Sequence, residues 1–308
     1  MNNRVFDSEF FQKLNTLQWN LNMHISQGMS GARKSNAKGS SVEFSDYREY
    51  IPGDDIRRID WNAYGRTDKL YIKQFREEQE GIFHIFVDTS GSMAFGSPQK
   101  SYMALQIAAA LSYIVLNNLD RVYVCQLGDR SVRTGKGMVG KAAFPHVLEE
   151  LSASSFQGRT TLSTAIRKCP LSIGGVSFII SDFLDAAGIE DAIRYLAYRK
   201  QTVCLVQVLA REELEVQYEG TLNLKDIESG EKVKITLSNA AISKYQERLG
   251  TFRKELENMA RHYGAVYICV PADASLTKVM LQSFSGVLTG MLIVYIIILI
   301  VKNHKERK

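Results

Sequence analysis

The sequence predicts an α/β fold, a Rossmann-like parallel sheet flanked by helices, with a charged N-terminal segment before it and a hydrophobic C-terminal helix after it. Three observations carry this prediction. From Gly81 onward, short apolar runs alternate with helical segments, the pattern of successive βαβ units. The first 80 residues lack that pattern and are dense in charge. Val279 to Val301 is a run of 23 residues without a charge. A chain of 308 residues, 45% of them hydrophobic, can bury one sizeable α/β core beside an accessory segment. The expected divisions are residues 1–80, 81–278, 279–301 and a basic tail, 302–308.

Taken in order, residues 6–21 fit one helix, and the polar Gly/Ser stretch 26–41, with Arg33, Lys34 and Lys38, reads as a flexible loop. The block 43–61 alternates charge sign, so it reads as an ion-pair lattice in which Arg48, Arg57 and Arg58 meet Asp54, Asp55 and Asp60. Its alternative is a partner-binding surface. Trp61 fits either an interface anchor or a core residue linking the two parts of the protein. Strands are expected at 82–87, 121–126, 176–180, 202–209 and 265–270. Helices are expected at 100–116, 144–151, from 162 to a stop at Pro170, and at 189–199. A long helix over 239–263 spaces Ile242, Tyr245, Leu249, Phe252 and Leu256 for one buried face, and 220–234 has hairpin character with Ser229-Gly230 at its turn.

As a helix, residues 279–301 span about 34 Å, enough for a hydrocarbon core of about 30 Å. A C-terminal membrane anchor is therefore expected, with a buried hydrophobic helix as the alternative. Crossing would carry the basic tail outward, against the positive-inside tendency. Asp7 and Glu9 near the start, with no early apolar run, do not fit a secretory signal, so a cytoplasmic domain held at the inner membrane is expected.

Charge and cysteine usage exclude other classes. Of the net +5, the tail contributes +3 through Lys302, Lys305, Arg307 and Lys308 against Glu306, and the near balance elsewhere does not support a nucleic-acid footprint. Cys125, Cys169, Cys204 and Cys269 lie far apart, without C-x-x-C pairs, and read as reduced core thiols rather than zinc ligands.

The chemistry lies after the first strand, in Asp88-Thr89-Ser90-Gly91-Ser92-Met93. In open α/β sheets, ligands bind beyond the C-terminal ends of strands. Asp88, Ser90 and Ser92 can converge on one hard cation, while Gly91 lets the backbone turn. This oxygen set favours Mg²⁺ or Mn²⁺ over zinc. Further donors are expected at neighbouring strand ends: a hydroxyl from Gly158-Arg159-Thr160-Thr161, with Thr160 placed first and Thr161 left open, and Asp182, directly or through a water. An N-cap cluster without metal is the plainer alternative.

Other motifs fail on context. Gly135 to Lys141 has P-loop spacing, but Ala142 supplies no hydroxyl and no clean strand precedes it; a basic hairpin loop is expected. Phe86 to Gly91 resembles an aspartic-protease signature, whose second carboxylate copy is absent from the chain. His24, His84, His146, His262 and His304 show no metalloprotease spacing, and His84 reads as a core residue within the first strand.

The chain resembles the bacterial family known as domain of unknown function 58, which contains a von Willebrand factor A-like domain with a metal-ion-dependent adhesion site. The resemblance rests on Glu43-Phe44, Tyr47 to Tyr50, Pro52 to Trp61, Asp88 to Met93, Ser181-Asp182-Phe183 and Glu228 to Glu231, and covers the chain to about Leu281. It implies partnership with a MoxR-type AAA+ ATPase in assembly or maturation of an unidentified client protein. The hydrophobic C-terminus is not part of the family pattern. The function expected is a non-enzymatic adaptor whose cation captures an acidic side chain of a partner. The alternatives are a metal-dependent hydrolase, for which no evident general base accompanies the site, and a metal-free scaffold at the membrane.

Overall fold

The computed structural model describes residues 5–17, 43–76, 80–128, 132–184, 188–216, 220–225 and 232–284. The chain divides into two compact units, one formed by Met1–His24 with Gly81–Lys308, the other by Ile25–Glu80. Residues 8–17 form a helix, α1, inside the expected span 6–21. Phe10, Leu14 and Leu17 recur at helical spacing and are buried in the core of the larger unit. The expected 1–80 segment is therefore corrected at its start, because α1 belongs with the sheet domain. The expected loop at 26–41 lies outside the described residues.

In the smaller unit, β1 (Glu43–Glu49) pairs antiparallel with β2 (Tyr71–Arg76). Between them lie a single 3-10 turn at Ile56–Arg58 and α2 (Trp61–Thr67). Asp60 organises this unit. Its Oδ1 accepts the N–H groups of Asn62 at 2.9 Å and Ala63 at 3.3 Å, capping α2. Its Oδ2 accepts the Tyr47 hydroxyl at 2.8 Å and meets Lys73 Nζ at 3.2 Å. The hydrogen bond from Tyr47, followed by that from Lys73, holds the Asp60 carboxyl down at about 2. The expected ion-pair lattice is realised only in part. Arg48 does pair with Asp54, at 2.8 Å. Asp55 instead accepts the backbone N–H of Arg57, and Asp60 is taken up by capping and Lys73. Arg57 and Arg58 are exposed and make no ion pair among the described residues. Trp61 is 64% exposed and packs edge-on against Tyr64, so it is not a core residue.

The larger unit is built on a seven-stranded sheet. Its parallel members are β3 (Ile82–Asp88), β4 (Arg121–Leu127), β7 (Gly175–Ser181), β8 (Gln201–Leu209) and β11 (Val266–Pro271), each overlapping an expected strand. They lie in the order β11-β8-β7-β3-β4. Two short strands, β5 (Val132–Thr134) and β6 (Met138–Val139), pair antiparallel with β4, so the Gly135–Lys141 stretch is an edge connection rather than a phosphate loop. A separate hairpin consists of β9 (Gly220–Lys225) and β10 (Lys232–Leu237); its expected Ser229-Gly230 turn lies outside the described residues.

Alternation along the strands builds a core on each face of the sheet. Ile85 and Val87 point to the side covered by α1, α3 (Lys100–Asn117) and α4 (Phe144–Ser152). Phe86 points to the side covered by α5 (Leu162–Arg167), α6 (Ile189–Tyr198) and the end of the long helix. After a one-turn helix α7 (Arg211–Leu214), that long helix is α8 (Asn239–His262). Its expected stripe is buried only late: Leu256 and Ala260 are buried, whereas Tyr245 is 39% exposed. The early turns carry Lys244, Gln246, Glu247 and Arg248, so little apolar surface is available there to bury.

The expected C-terminal helix at 279–301 is corrected at its beginning. After α9 (Leu276–Lys278), Val279–Ser283 forms a π-helical turn, and Val279, Met280 and Phe284 are buried in the domain core. Residues 285–301 lie outside the described residues, and among the described ones no helix is long and apolar enough to cross a membrane. All four cysteines are free.

His84 is fully buried and stacked between Phe86 and Tyr123. Burial pushes its pKa down to about 4; neither ring nitrogen has a well-formed hydrogen bond, and only weaker polar contacts with Pro170 and Gln201 oppose the shift. The neutral ring is the folded form. Its contribution is complete above pH 6.5 and is lost as pH falls from there towards 4, about 3 kcal/mol in all. Urea titrations should show His84→Phe flattening this acid limb; an unchanged limb would place the titration elsewhere.

Candidate metal centre

Three loops meet at the C-terminal edge of β3, β4 and β7, and backbone hydrogen bonds lock them together. Gly91 N–H donates to the Gly158 carbonyl at 2.8 Å and Gln157 N–H to the Thr89 carbonyl at 3.0 Å. One carbonyl, that of Leu127 at the end of β4, accepts from Thr89 N at 2.9 Å, Thr89 Oγ1 at 2.8 Å and Thr160 Oγ1 at 3.2 Å. Gly158 sits at φ +75°, a left-handed conformation that glycine adopts without steric cost. The loop carrying Thr160 is thus fastened to the Asp-x-Ser-x-Ser loop before any ligand is considered.

The result is a cavity of about 10 Å³ lined by Asp88, Ser90, Ser92, Thr160, Leu162, Ser181, Asp182 and Phe183. That volume is near the minimum that holds one water-sized species. All five residues expected from the sequence line it. Thr161, by contrast, is exposed at the N-cap of α5 and does not.

Hydroxyl protons are directed so that oxygen lone pairs remain available. Thr160 gives its proton to Leu127, and Ser181 gives its own to Asp88 Oδ2 at 2.6 Å. Ser90 and Ser92 hydroxyls are hydrogen-bonded to each other, their oxygens 3.0 Å apart, one donating and the other accepting. Asp88 Oδ1 accepts Ser90 N–H at 2.9 Å. Each carboxylate oxygen offers two lone pairs, so Asp88 keeps acceptor capacity beyond these bonds. Asp88 is 4% exposed, and burial, with the Asp182 charge adding to it against the Ser181 hydrogen bond, pushes its pKa up to about 6. A buried carboxylate destabilised as an anion, facing hydroxyl oxygens around a water-sized space, is the chemistry that a hard cation fits.

Asp182 differs from Asp88. Its Oδ2 is 2.7 Å from Lys100 Nζ, its Oδ1 accepts Leu184 N–H at 3.1 Å, and its carbonyl accepts Gln207 Nε2–H at 2.7 Å. Phe183, the next residue, has φ +56°, a strained conformation for a bulky side chain, stabilised by burial and by its N–H bond to Ser181 Oγ at 3.0 Å. Sequence reasoning missed Lys100, Ser181 and Glu213. A lysine at the first position of an otherwise uncharged helix, where the helix dipole disfavours positive charge, is the available signal for Lys100.

The family model described as protein of unknown function DUF58 matches residues 46–255. The chain belongs to the DUF58 family. Among curated relatives, this DUF58 protein is 23% identical to the uncharacterized protein Rv1480 of Mycobacterium tuberculosis over 297 residues, covering 93% of each chain. Among solved structures, it is similar to the conserved hypothetical protein BatB from Bacteroides thetaiotaomicron, at 17% identity and a TM-score of 0.41 over 68% of this chain and 99% of that one. It is also similar to the SpRpn10 VWA domain, at 11% identity and a TM-score of 0.35 over 67% and 95%.

Proposed function

We propose that this DUF58 protein is a metal-dependent protein-binding adaptor that holds Mg²⁺ or Mn²⁺ with Asp88, Ser90, Ser92 and Thr160, with Asp182 close by. The observation that carries this reading is the convergence of all five side chains on one water-sized cavity at the sheet edge. When bound, the cation supplies residual positive charge and a coordination position for an acidic side chain of a partner. The chain's own part is to hold the oxygens in place: Leu127 orients Thr160, and Ser181 and Ser90 N–H orient Asp88. Isothermal titration with Mn²⁺ tests the reading directly, and no saturable binding at near-stoichiometric ratio would overturn it.

The finer partner reading is a MoxR-type AAA+ ATPase, with an unidentified client as the acidic ligand. The exposed group Ile56, Arg57, Arg58, Trp61 and Tyr64 supports a contact surface in the smaller unit, since large aromatics and arginines are the side chains most enriched at binding hot spots. Trp61→Ala should leave the thermal midpoint within about 2 °C, as for an exposed side chain, while weakening ATPase pull-down about tenfold or more. A pull-down at wild-type strength would remove this surface from the account. The uncharged stretch 285–301 is proposed as membrane attachment; its 17 residues reach about 26 Å as a helix, the lower limit of a span. Recovery of the full chain in the soluble fraction without detergent would overturn that part.

A further inference from the structure

Two of the four free thiols meet inside the sheet domain. Cys125, on β4, points to the face covered by α5 and α6, whereas its neighbour Val124 points to the other. Thr134 on the edge strand β5 is its cross-strand partner, so both side chains share that face. Cys169 follows the six residues of α5, just before Pro170, and is buried in the same cluster. Its thiol donates to the Ala165 carbonyl at 3.6 Å and accepts a hydrogen bond from the Cys125 thiol. The Thr134 hydroxyl lies within hydrogen-bonding reach of both sulfurs. The bond between the thiols pushes Cys125 up and Cys169 down, the latter against the effect of burial. Cys204 lies in the core of the opposite face, where burial alone pushes its thiol up. Of two adjacent thiols, the one whose thiolate is favoured attacks an oxidant, and the other can reach its sulfur afterwards.

We propose that Cys125 and Cys169 form a redox-active dithiol, which a peroxide converts to a disulfide that locks α5 onto β4. The Cys169 thiolate attacks one peroxide oxygen, the O–O bond breaks, and the departing hydroxide takes up the proton Cys169 released. Cys169 is then a sulfenic acid. The Cys125 sulfur attacks the Cys169 sulfur, the S–O bond breaks, and the second hydroxide leaves as water with the Cys125 proton. Two thiols are oxidised by two electrons in all, and the peroxide is reduced to two waters. The proposal does not depend on the metal reading, although the bridged elements flank the loop of Thr160: Leu127 of β4 accepts its hydroxyl, and Leu162 of α5 lines the cavity.

The test treats the folded full chain with hydrogen peroxide, then alkylates the remaining thiols and maps the peptides by mass. One linked pair is expected, Cys125 with Cys169, reversed by dithiothreitol, while the Cys204 thiol is lost about tenfold more slowly. The bridged chain should melt about 5 °C or more above the reduced one, because a disulfide restricts the unfolded state. Cys169→Ala should abolish both the link and the shift. Should that variant fail to fold, the wild-type map decides alone. Thiols 125 and 169 that stay unlinked in peroxide while circular dichroism shows the fold intact would overturn the proposal, as would a link that forms only in urea. A bridged chain that melts no higher than the reduced one would overturn the lock on α5.

Discussion

Replacing Asp88 by alanine is expected to lower Mn²⁺ affinity about a thousandfold, roughly 4 kcal/mol, and to abolish metal-dependent partner capture with it. Of the two carboxylates lining the cavity, only Asp88 is without a cationic partner, so it supplies the charge that draws a cation in. The same substitution should cost little folding stability. It leaves the Ser181 hydroxyl and Ser90 N–H short of an acceptor, but it also removes a buried carboxylate whose pKa burial raises to about 6. Thermal melts in chelator and in Mn²⁺ separate the two effects. Wild type should melt higher with metal than without, and Asp88→Ala should melt at one temperature in both. A mutant still stabilised by Mn²⁺ would mean that the ion sits elsewhere.

Phe10→Ala should destabilise the sheet domain by about 4 kcal/mol, the usual cost of removing a buried phenylalanine. Phe10 is completely buried and packs with Leu14 and Leu17 in the same core as Ile85, Val87 and Phe178. Phe11, its neighbour on the outer side of α1, is 41% exposed, and Phe11→Ala should cost well under half as much. Urea denaturation followed by far-ultraviolet circular dichroism reads both. Equal, small effects would detach α1 from the domain and restore the division at residue 80.

In the sequence α1 stands apart from the sheet domain, whereas in the structure Phe10, Leu14 and Leu17 bury it in that domain's core. Its apolar positions are legible as a helix, but periodicity says only that one face is buried, not what buries it. The same limit explains α8, where five apolar positions at helical spacing predicted a full stripe and only the last of them is buried. It explains Arg57 and Arg58 too. Alternating signs along the chain suggested pairing, but backbone caps consumed Asp55 and Asp60 and left those guanidinium groups exposed. At the C-terminus, hydropathy could not show that Val279, Met280 and Phe284 complete the core before the uncharged run continues.

The site divides along a similar line. Asp88, Ser90 and Ser92 are legible because they occupy one loop after one strand, and Asp182 because the parallel strands β3 and β7 end at one edge; Thr160 reaches that edge from the connection between α4 and α5, hydrogen-bonded to the end of β4, and not from a strand end. Local pattern therefore determined the sheet, its helices and the residue types that gather at its rim. Tertiary structure alone decided that Thr160 rather than Thr161 faces the cavity, and that the buried Lys100 bridges Asp182 and Glu213, the latter 113 residues away along the chain. The physical reason is range. Backbone propensity and periodicity act over a few residues, whereas the pairing of buried charges depends on which distant side chains packing happens to leave within 3 Å of each other.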